Sequence, residues 1–261
     1  MTTSPRDDAW ATLAGRFVDG HYGSLRGRVR THVIHQHLTA HLAPSSTVVD
    51  VGGGAGTQSI PLARAGHHVT IVDPSPAMLE RADRARAAED AAVARRIQLL
   101  EANGEVAPEV LDGQTFGAVL CHGVLMYLDD PEPMVDALCR LTAPTGVLSI
   151  VAKNVQVMAM RPGHEGDWAG ALAAFDHDRQ INGLGVDTRG DDVDALSELI
   201  RGRGVAPVDW YGVRLFTDGW TPDRPAGDPE DLVLQVELEA SRRDPYRQLS
   251  RLFHLVGRRP A

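Results

Sequence analysis

The chain has little cysteine, no long apolar run and no signal-peptide pattern. Its 261 residues include two cysteines, Cys121 and Cys139, too few for a disulfide framework or a four-cysteine zinc site. No apolar run is long enough to span a bilayer, and residues 1–8 lack the charged and then apolar layout of a signal peptide. From these absences we expect a cytoplasmic protein with no membrane partner.

Acidic residues outnumber basic ones, 35 to 26. The net charge of −9 at pH 7 argues against broad nonspecific binding of nucleic acid, which requires many cationic side chains to neutralise phosphates, but it leaves room for a local basic patch. Lys153 is the single lysine, so arginine supplies nearly all of the positive charge. The hydrophobic content of 43% supports a full core, and the length fits one large α/β domain.

The most informative stretch covers residues 47–57. A short β-branched run is followed by glycines at alternate positions, Gly52, Gly54 and Gly56. The run predicts a strand buried on both faces, and the glycines allow the backbone to turn sharply and to approach a ligand closely. A helix predicted over 57–65 would direct its N-terminus at that ligand. We therefore predict a cofactor-binding loop at this point.

The spacing of the glycines indicates which cofactor is bound. Dinucleotide folds use Gly-x-Gly-x-x-Gly, whereas this chain has Asp50-x-Gly52-x-Gly54-x-Gly56. That pattern resembles motif I of class I methyltransferases that use S-adenosylmethionine (SAM). A second predicted strand ends in Asp73, about twenty residues on, where an acid can accept hydrogen bonds from both ribose hydroxyls. Together the two elements predict SAM as the cofactor; the structural alternative is a glycine-rich turn with Asp73 as a helix cap.

Strands and helices alternate beyond this loop. Apolar segments suited to strands occupy 97–100, 116–121 and 147–151, and regular alternation with helices predicts a parallel, doubly wound, Rossmann-like α/β sheet. Later strands are predicted over 206–211 and 252–256. The predicted helices after the loop are 74–92, 130–141, 191–202 and 230–243.

The pattern changes after the fifth strand, where a glycine-rich stretch has weak periodicity. Such an insertion predicts a lid or substrate-binding segment. Residues 8–42, before the first strand, have a helical pattern and predict a cap over the cofactor loop. The expected organisation is one domain: an N-terminal helical cap (8–42), a SAM-binding half (43–153), a lid (154–190) and a C-terminal part that completes the sheet (191–261).

Ligands of open α/β sheets bind at the edge formed by the carboxyl ends of the strands. His122 follows the fourth predicted strand there, and we expect His122, Leu125, Met126 and Tyr127 to lie nearest the sulfonium of SAM. One of the arginines that precede the first strand could pair with the SAM carboxylate. The predicted cofactor-binding residues are Arg30, Asp50, Gly52, Gly53, Gly54, Gly56, Asp73, Pro74, Met78, Ala102, Asn103 and His122.

Four segments, at 22–30, 120–125, 211–216 and 245–254, resemble the tRNA 5-carboxymethoxyuridine methyltransferase family. The resemblance extends over nearly the whole chain, including both caps. It implies a seven-stranded sheet with one antiparallel strand, SAM as the methyl donor, and esterification of the carboxymethoxy group of a wobble uridine. It also implies that Arg30, Gly52, Asp73 and His122 contact SAM.

Methyl transfer from a sulfonium is a direct in-line displacement that depends on alignment and desolvation. A carboxylate acceptor, whose ordinary pKa is about 4, is ionised at pH 7 and needs no base, whereas a phenol or amine would need one. The predicted catalytic residues are His122 and Tyr127, as candidate bases, and Arg214, as the group that orients an anionic acceptor. The predicted substrate-binding residues are Tyr22, Arg161, Tyr211 and Arg214; for Arg214 a salt bridge within the sheet edge is the alternative.

Three functions stay open at this point. The first is the tRNA carboxyl methyltransferase, the second is a small-molecule O- or N-methyltransferase, which an enclosed pocket of roughly 300–1,000 Å³ would favour, and the third is a SAM-binding protein without catalysis. The partners are accordingly SAM and either tRNA or a small molecule. The tRNA hypothesis predicts a basic patch beside the mouth of the site, formed by Arg26, Arg28, Arg242, Arg243, Arg247, Arg251, Arg258 and Arg259.

Histidines crowd the segment before the first strand. His37 and His41 have the i, i+4 spacing of a metal pair. No acid or third ligand follows at a matching spacing, so we predict no metal site and expect solvated or hydrogen-bonded histidines.

Overall fold

The computed structural model describes residues 24–183, 185–219 and 229–261. Within these ranges seven strands form the main sheet and two more form a hairpin. The strands are β1 (Thr47–Val51), β2 (His68–Asp73), β3 (Ile97–Glu101), β4 (Phe116–His122), β5 (Thr142–Lys153), β6 (Arg179–Ile181), β7 (Asp187–Arg189), β8 (Ala206–Val213) and β9 (Leu252–Arg258).

The main sheet has the strand order β3-β2-β1-β4-β5-β9-β8. Strands β1 to β5 pair in parallel, and β9 is antiparallel to both of its neighbours. The predicted seven-stranded, doubly wound α/β sheet with one antiparallel strand is therefore confirmed. The strand order reverses between β1 and β4, which is the point at which open α/β sheets bind ligands.

Helices cover both faces of this sheet. None of those in the described ranges combines the length and the apolar composition needed to cross a membrane. The α-helices are α1 (Leu25–His41), α2 (Ser59–Arg64), α3 (Pro76–Ala87), α4 (Ala91–Ala94), α5 (Ala107–Val110), α6 (Glu132–Leu141), α7 (Met160–His164), α8 (Trp168–Ala173), α9 (Val193–Arg201) and α10 (Glu230–Ala240).

Two boundaries differ from the prediction. The segment 74–92 forms two helices, α3 and α4, because the Asp90 carboxylate accepts hydrogen bonds from the amides of Ala92 and Val93 and so starts a new helix. Strand β5 begins at Thr142, five residues before the predicted start at 147, and contains an irregularity opposite Phe116 and Ala118. Both differences arise at polar or turn-forming residues that a search for apolar periodicity passes over.

Alternate residues of the strands face opposite layers of the core. On β1, Val49 and Val51 pack in one hydrophobic cluster and Val48 packs in the other. A third cluster joins Val29 and Val33 of α1 to the sheet. Each fully buried aliphatic side chain contributes about 1.5–3 kcal/mol, so the strands are held in the sheet from both faces and the ends of β1 to β4 are fixed relative to one another.

Strands β1, β2, β3 and β4 end on the same side of the sheet, which we call the carboxyl edge. Strand β8 also ends there, and β9 begins there, since β9 runs antiparallel to both β5 and β8. Helix α1 lies across the face of the sheet. Its first turns lie near the carboxyl edge, where Arg30 contacts the end of β4, and its last residue, His41, lies near Arg258 at the opposite edge.

Candidate functional site

The loop after β1 presents a surface of bare backbone at the carboxyl edge. Gly52, Gly54 and Gly56 have φ values of +71°, +55° and +78°, a region that costs L-residues with side chains free energy. A Cβ atom on Gly54 would lie 2.7 Å from the Cε of Met78. Gly54 therefore leaves little room for a side chain, and the backbone of Gly52 and Gly53 is partly exposed at this edge.

Asp73, at the end of β2, holds this loop in place. Its Oδ2 accepts a hydrogen bond of 2.9 Å from the amide of Gly54, and its Oδ1 accepts one of 2.9 Å from the amide of Ser75. Burial raises the pKa of this carboxyl, and the two backbone donors oppose that effect. A carboxylate oxygen has two lone pairs, so both oxygens retain capacity for hydroxyl donors of a ribose.

Asp50 lies beneath the loop. Its Oδ2 accepts a hydrogen bond of 2.6 Å from the Ser59 hydroxyl at the start of α2, and a Cβ atom on Gly53 would lie 2.8 Å from its carboxyl carbon. Burial raises the pKa of Asp50 to about 6, while the bond from Ser59 lowers it. Asp50 therefore connects the end of β1 to the start of α2 and packs against Gly53 of the loop.

The remaining predicted cofactor residues surround the loop. Met78 is buried against Gly54, and Pro74 is exposed beside Asp73. At the end of β3 the amide of Ala102 donates to the carbonyl of Asp73, at 3.3 Å. Asn103 is exposed next to it, and its side chain caps the turn Gly104–Val106. The ends of β2 and β3 thus form one continuous wall beside the loop.

Arg30 reaches the switch point of the sheet from α1. Its Nη2 donates a hydrogen bond of 3.0 Å to the carbonyl oxygen of His122, and its charge lowers the pKa of Asp50. Arg30 is 6% exposed. It therefore places a buried positive charge between the ends of β1 and β4, opposite the glycine loop.

The imidazole of His122 on β4 takes part in a polar cluster with side chains of β5 and β9. Its Nε2 lies 2.8 Å from the Ser149 hydroxyl, which lies 2.7 Å from the Nε2 of His254. Burial lowers the pKa of His122 to about 3, and the charge of Arg30 acts in the same direction. His122 is consequently neutral at pH 7 and a weak base.

Ser149 has one proton for two imidazoles, which constrains their tautomers. If its hydroxyl donates to one Nε2, the other Nε2 must donate to the Ser149 oxygen. One of His122 and His254 therefore carries its proton on Nε2 and the other on Nδ1. Both Nδ1 atoms are buried, with no partner among the described residues.

The segment after His122 connects the site to the predicted lid. Leu125–Tyr127 forms a single 3₁₀ turn, in which Leu125 is buried and Met126 and Tyr127 are half-buried. The hairpin β6–β7 packs against this turn, and Arg179 of the hairpin lies 3.4 Å from Asp129. The lid thus borders the carboxyl edge at the position where the acceptor was expected.

Arg214 follows β8 and is buried at this edge. It forms an ion pair with Asp218, and its Nε has no partner within the described part of the chain. Burial lowers the pKa of Arg214 to about 10, against the opposing effect of Asp218, with smaller lowering contributions from Arg26 and Arg251. The ion pair matches the structural alternative considered above, so an anionic acceptor would compete with Asp218 for this guanidinium.

Tyr211 makes its contacts away from the glycine loop. Its ring stacks on His37 with centroids 3.6 Å apart, and its hydroxyl lies 2.9 Å from the Nε2 of His41, towards the opposite edge of the sheet. His37 in turn contacts the Ser241 hydroxyl at 2.6 Å. These contacts occupy the two histidines of the i, i+4 pair and direct the Tyr211 hydroxyl to α1, so the structure does not support Tyr211 as a substrate-binding residue. Tyr22 lies outside the described residues.

Two further cationic side chains, which were not predicted to lie together, are at the carboxyl edge. Lys153 ends β5 and is 3% exposed, and Arg251 immediately precedes β9. Together with Arg30 and Arg214 they form a group that we call the edge cations. The strand topology brings these four to one edge of the sheet. The sequence predicted Arg30 and Arg214 as site residues and Arg251 as part of the basic patch, whereas nothing in the sequence marked Lys153.

The predicted patch of eight arginines does not form as a unit. Arg258 and Arg259 lie at the edge opposite the glycine loop, where they donate to the carbonyls of Thr145 and Cys139. For these two the prediction is wrong, because β9 runs antiparallel and ends there. Several of the others are paired with surface carboxylates, namely Arg28 with Glu230, Arg242 and Arg243 with Glu239, and Arg247 with Asp244.

The chain is similar in sequence and fold to known methyltransferases. Residues 49–150, which contain the glycine loop, Asp73 and His122, match the family described as a methyltransferase domain. The tRNA 5-carboxymethoxyuridine methyltransferase of Escherichia coli K12 is 27% identical over 259 residues, covering 98% of this chain and 97% of that protein.

Two further similar proteins match different shares of the chain. A ubiquinone biosynthesis O-methyltransferase of Xanthomonas axonopodis pv. citri is 30% identical over 148 residues, 56% of this chain and 60% of that protein. The magnesium protoporphyrin IX methyltransferase of Synechocystis PCC 6803, solved with bound SAH, has a TM-score of 0.65 at 15% identity and covers 97% of this chain and 98% of its own. The structural likeness shows a shared fold over nearly the whole chain.

Proposed function

We propose that this chain, a SAM-dependent methyltransferase by its match to the methyltransferase-domain family, methylates a carboxylate oxygen, and that the acceptor is the carboxymethoxy group of 5-carboxymethoxyuridine at the wobble position of tRNA. The observation that carries the proposal is the group of edge cations at the carboxyl edge. Arg214, on the acceptor side of this group, is 8% exposed, so an anion that reaches it meets positive charge at low local dielectric.

Residues of the carboxyl edge supply a fitting site for SAM. In our proposal the bare loop at Gly52 and Gly54 admits the nucleoside, Asp73 accepts from the ribose hydroxyls, and Ala102 and Asn103 border the adenine. Arg30 pairs with the SAM carboxylate through charge-assisted hydrogen bonds. Bound SAM supplies an electrophilic methyl group on its sulfonium.

The protonation states of the nearby side chains favour a carboxylate acceptor. His122 has its pKa lowered to about 3 by burial, so it is a poor proton acceptor for a phenol or an amine at pH 7. A carboxylate with a pKa of about 4 requires no proton transfer before attack. The residues around it then contribute by orientation, exclusion of water and neutralisation of its charge.

The extent of the sequence match supports tRNA as the source of the carboxylate. The match to the tRNA enzyme covers 98% of the chain, including the lid and the C-terminal strands that would contact an acceptor. The match to the ubiquinone enzyme covers 56% of the chain. A tRNA substrate also agrees with the cytoplasmic location expected from the sequence.

A small-molecule acceptor is the second candidate. A pocket of about 400 Å³ lies in the lid, within the range of roughly 300–1,000 Å³ that small ligands occupy. An O- or N-methyltransferase of small molecules would use that pocket for the whole acceptor. The tRNA enzyme would use the same lid for only a part of its acceptor.

Methyl transfer to tRNA separates the two candidates. The purified enzyme is incubated with labelled SAM and bulk tRNA from a strain that lacks this gene, and the nucleosides are analysed by mass spectrometry. We expect the label on the methyl ester of 5-carboxymethoxyuridine and none on tRNA whose wobble uridine lacks the carboxymethoxy group. Binding of SAM without transfer to either tRNA would contradict the tRNA assignment and favour the small-molecule candidate.

A further inference from the structure

The pocket in the lid is unusual in the side chains that line it. It lies between α7, α8 and the hairpin β6–β7, with Arg251 from the start of β9 also in its wall. Three arginines, Arg161, Arg179 and Arg251, line a volume of about 400 Å³, together with the acidic residues Glu165 and Asp167. Such a concentration of arginine stands out in a chain whose net charge is −9.

Two of the three arginines are at the rim and already have carboxylate partners. The Nε of Arg161 lies 2.9 Å from Glu165, and the Nε of Arg179 lies 2.6 Å from Asp187. Each of these pairs is partly exposed, and exposed ion pairs contribute little to stability. Their guanidiniums can therefore rearrange towards an incoming anion at small cost.

Arg251, which is half-buried, differs from these two in the state of one guanidinium nitrogen. Its Nη1 is buried and has no partner in the described part of the chain, and its Nη2 makes one long contact of 3.3 Å with the Oε1 of Gln180. Burial lowers the pKa of this group, and the negative charge of Asp218 opposes the effect. Asp218 is itself the ion-pair partner of Arg214. A buried guanidinium with an unsatisfied donor costs free energy that a bound oxyanion would recover.

A chain of hydrogen bonds connects this pocket to Lys153. The Nζ of Lys153 donates to the Oγ1 of Thr188 at 3.1 Å, and that hydroxyl donates to the carbonyl of Gln180 at 2.8 Å. Gln180 is the residue whose side chain contacts Arg251. Lys153 therefore lies behind the hairpin that forms one wall of the pocket, and a charge in the pocket acts on it.

We propose that this pocket is an oxyanion subsite, which in the proposed reaction holds a phosphodiester group of the RNA strand next to the acceptor nucleotide. The assignment of the RNA as the source rests on the proposed function. Arginine presents a planar array of donors that matches a phosphate or carboxylate in bidentate geometry. The subsite would add affinity for the strand, while Arg214 acts on the carboxylate that is methylated.

The single lysine provides a direct readout of anion binding. In protein labelled with ¹⁵N-lysine, the Nζ resonance of Lys153 reports its own titration. Burial lowers the pKa of Lys153 to about 7, Arg251 acts in the same direction, Asp187 opposes them, and Arg161 and Arg179 add smaller lowering effects. An anion in the pocket favours the charged amine, so we expect inorganic phosphate and the dinucleotide UpU each to raise this pKa, and the nucleoside uridine to leave it unchanged.

Arg251→Gln tests the contribution of Arg251 to the subsite. We expect it to abolish the phosphate-induced shift of the Lys153 signal and to weaken binding of an anticodon stem-loop RNA by about 10-fold or more, because a hydrogen bond to a charged group is lost. The slope of log Kd against log salt should fall by about 0.7, the value for one phosphate contact on a single strand. Arg201→Gln removes the same charge from the exposed face of α9 and should change neither quantity.

Arg179→Gln, at the rim, repeats the test if Arg251→Gln fails to fold. A normal phosphate response and normal RNA affinity in folded Arg251→Gln would overturn the subsite, even if tRNA is methylated. Phosphate and UpU binding that requires Arg251, without methylation of any tRNA, would leave the subsite standing and overturn the proposed function instead. A response to uridine-5-oxyacetic acid, but not to phosphate or UpU, would overturn the phosphodiester assignment and identify the acceptor carboxylate as the ligand.

Discussion

Replacement of Asp73 by alanine is expected to weaken SAM binding by at least about 100-fold. The substitution removes the acceptor proposed for both ribose hydroxyls, and each hydrogen bond to a charged group contributes about 1.5–3 kcal/mol. Two such bonds correspond to about two decades or more in Kd at 1.4 kcal/mol per decade. The loop also loses its anchor, because the amides of Gly54 and Ser75 both donate to this carboxylate.

Isothermal titration calorimetry with SAM measures this loss, and thermal unfolding checks that each variant is folded. Asp73→Asn keeps the size and one acceptor oxygen, so we expect it to bind SAM with an intermediate Kd. Asp83→Ala serves as the control, since Asp83 lies on the exposed side of α3 and pairs with Arg86. Unchanged affinity in folded Asp73→Ala would remove Asp73 from the cofactor site.

Glu237→Ala is expected to lower the free energy of unfolding by about 4 kcal/mol. The carboxylate is 2% exposed and accepts three hydrogen bonds, from the amide of Leu215 and from the amide and hydroxyl of Thr217. Its removal leaves three donors without a partner in a buried setting, and each costs about 1–3 kcal/mol. Relaxation of the loop and entry of water reduce the sum, which gives the value expected here.

Urea unfolding at pH 7 measures the change, with an unaltered m-value as the sign that the folded state stays compact. Glu239→Ala is the matched control: Glu239 lies on the same helix but is exposed and pairs with surface arginines, so its loss should change stability by less than about 1 kcal/mol. A loss in Glu237→Ala as small as that of the control would show that the three hydrogen bonds do not hold the loop.

The loop held by Glu237 is the one that carries Arg214 to the carboxyl edge. Arg214 itself has a φ of +62°, a conformation that requires support from its surroundings. At temperatures where Glu237→Ala is still folded, we therefore expect acceptor binding to suffer more than SAM binding. This links the stability of α10 to the acceptor side of the site.

The cofactor side of the site could be predicted from the sequence because its determinants are local. The strand, the glycines and Asp73 occupy one short stretch of the chain, and their chemistry depends on the backbone conformations that glycine permits. The alternation of strands and helices indicated the sheet, and β-branched runs located most of its strands. The break between α3 and α4 was missed because it depends on a cap at Asp90 rather than on hydrophobic periodicity.

The acceptor side depends on contacts between distant parts of the chain. Lys153 and Arg251 belong to segments that become neighbours only in the folded sheet, and the lack of a partner at the Nη1 of Arg251 is a property of packing. Tyr211 illustrates the same limit, since its sequence neighbours do not reveal that its hydroxyl contacts His41 on α1. The direction of β9 placed Arg258 at the wrong edge for the predicted patch.

Transfer of the methyl group to a carboxylate oxygen would produce a methyl ester. We would treat the methylated product, made with labelled SAM, with mild alkali and measure volatile radioactivity. A methyl ester is hydrolysed to methanol under these conditions, whereas methyl groups on nitrogen, carbon or a phenolic oxygen are retained. Our account predicts that nearly all of the transferred label is released as methanol. Label that stays on the acceptor would contradict it.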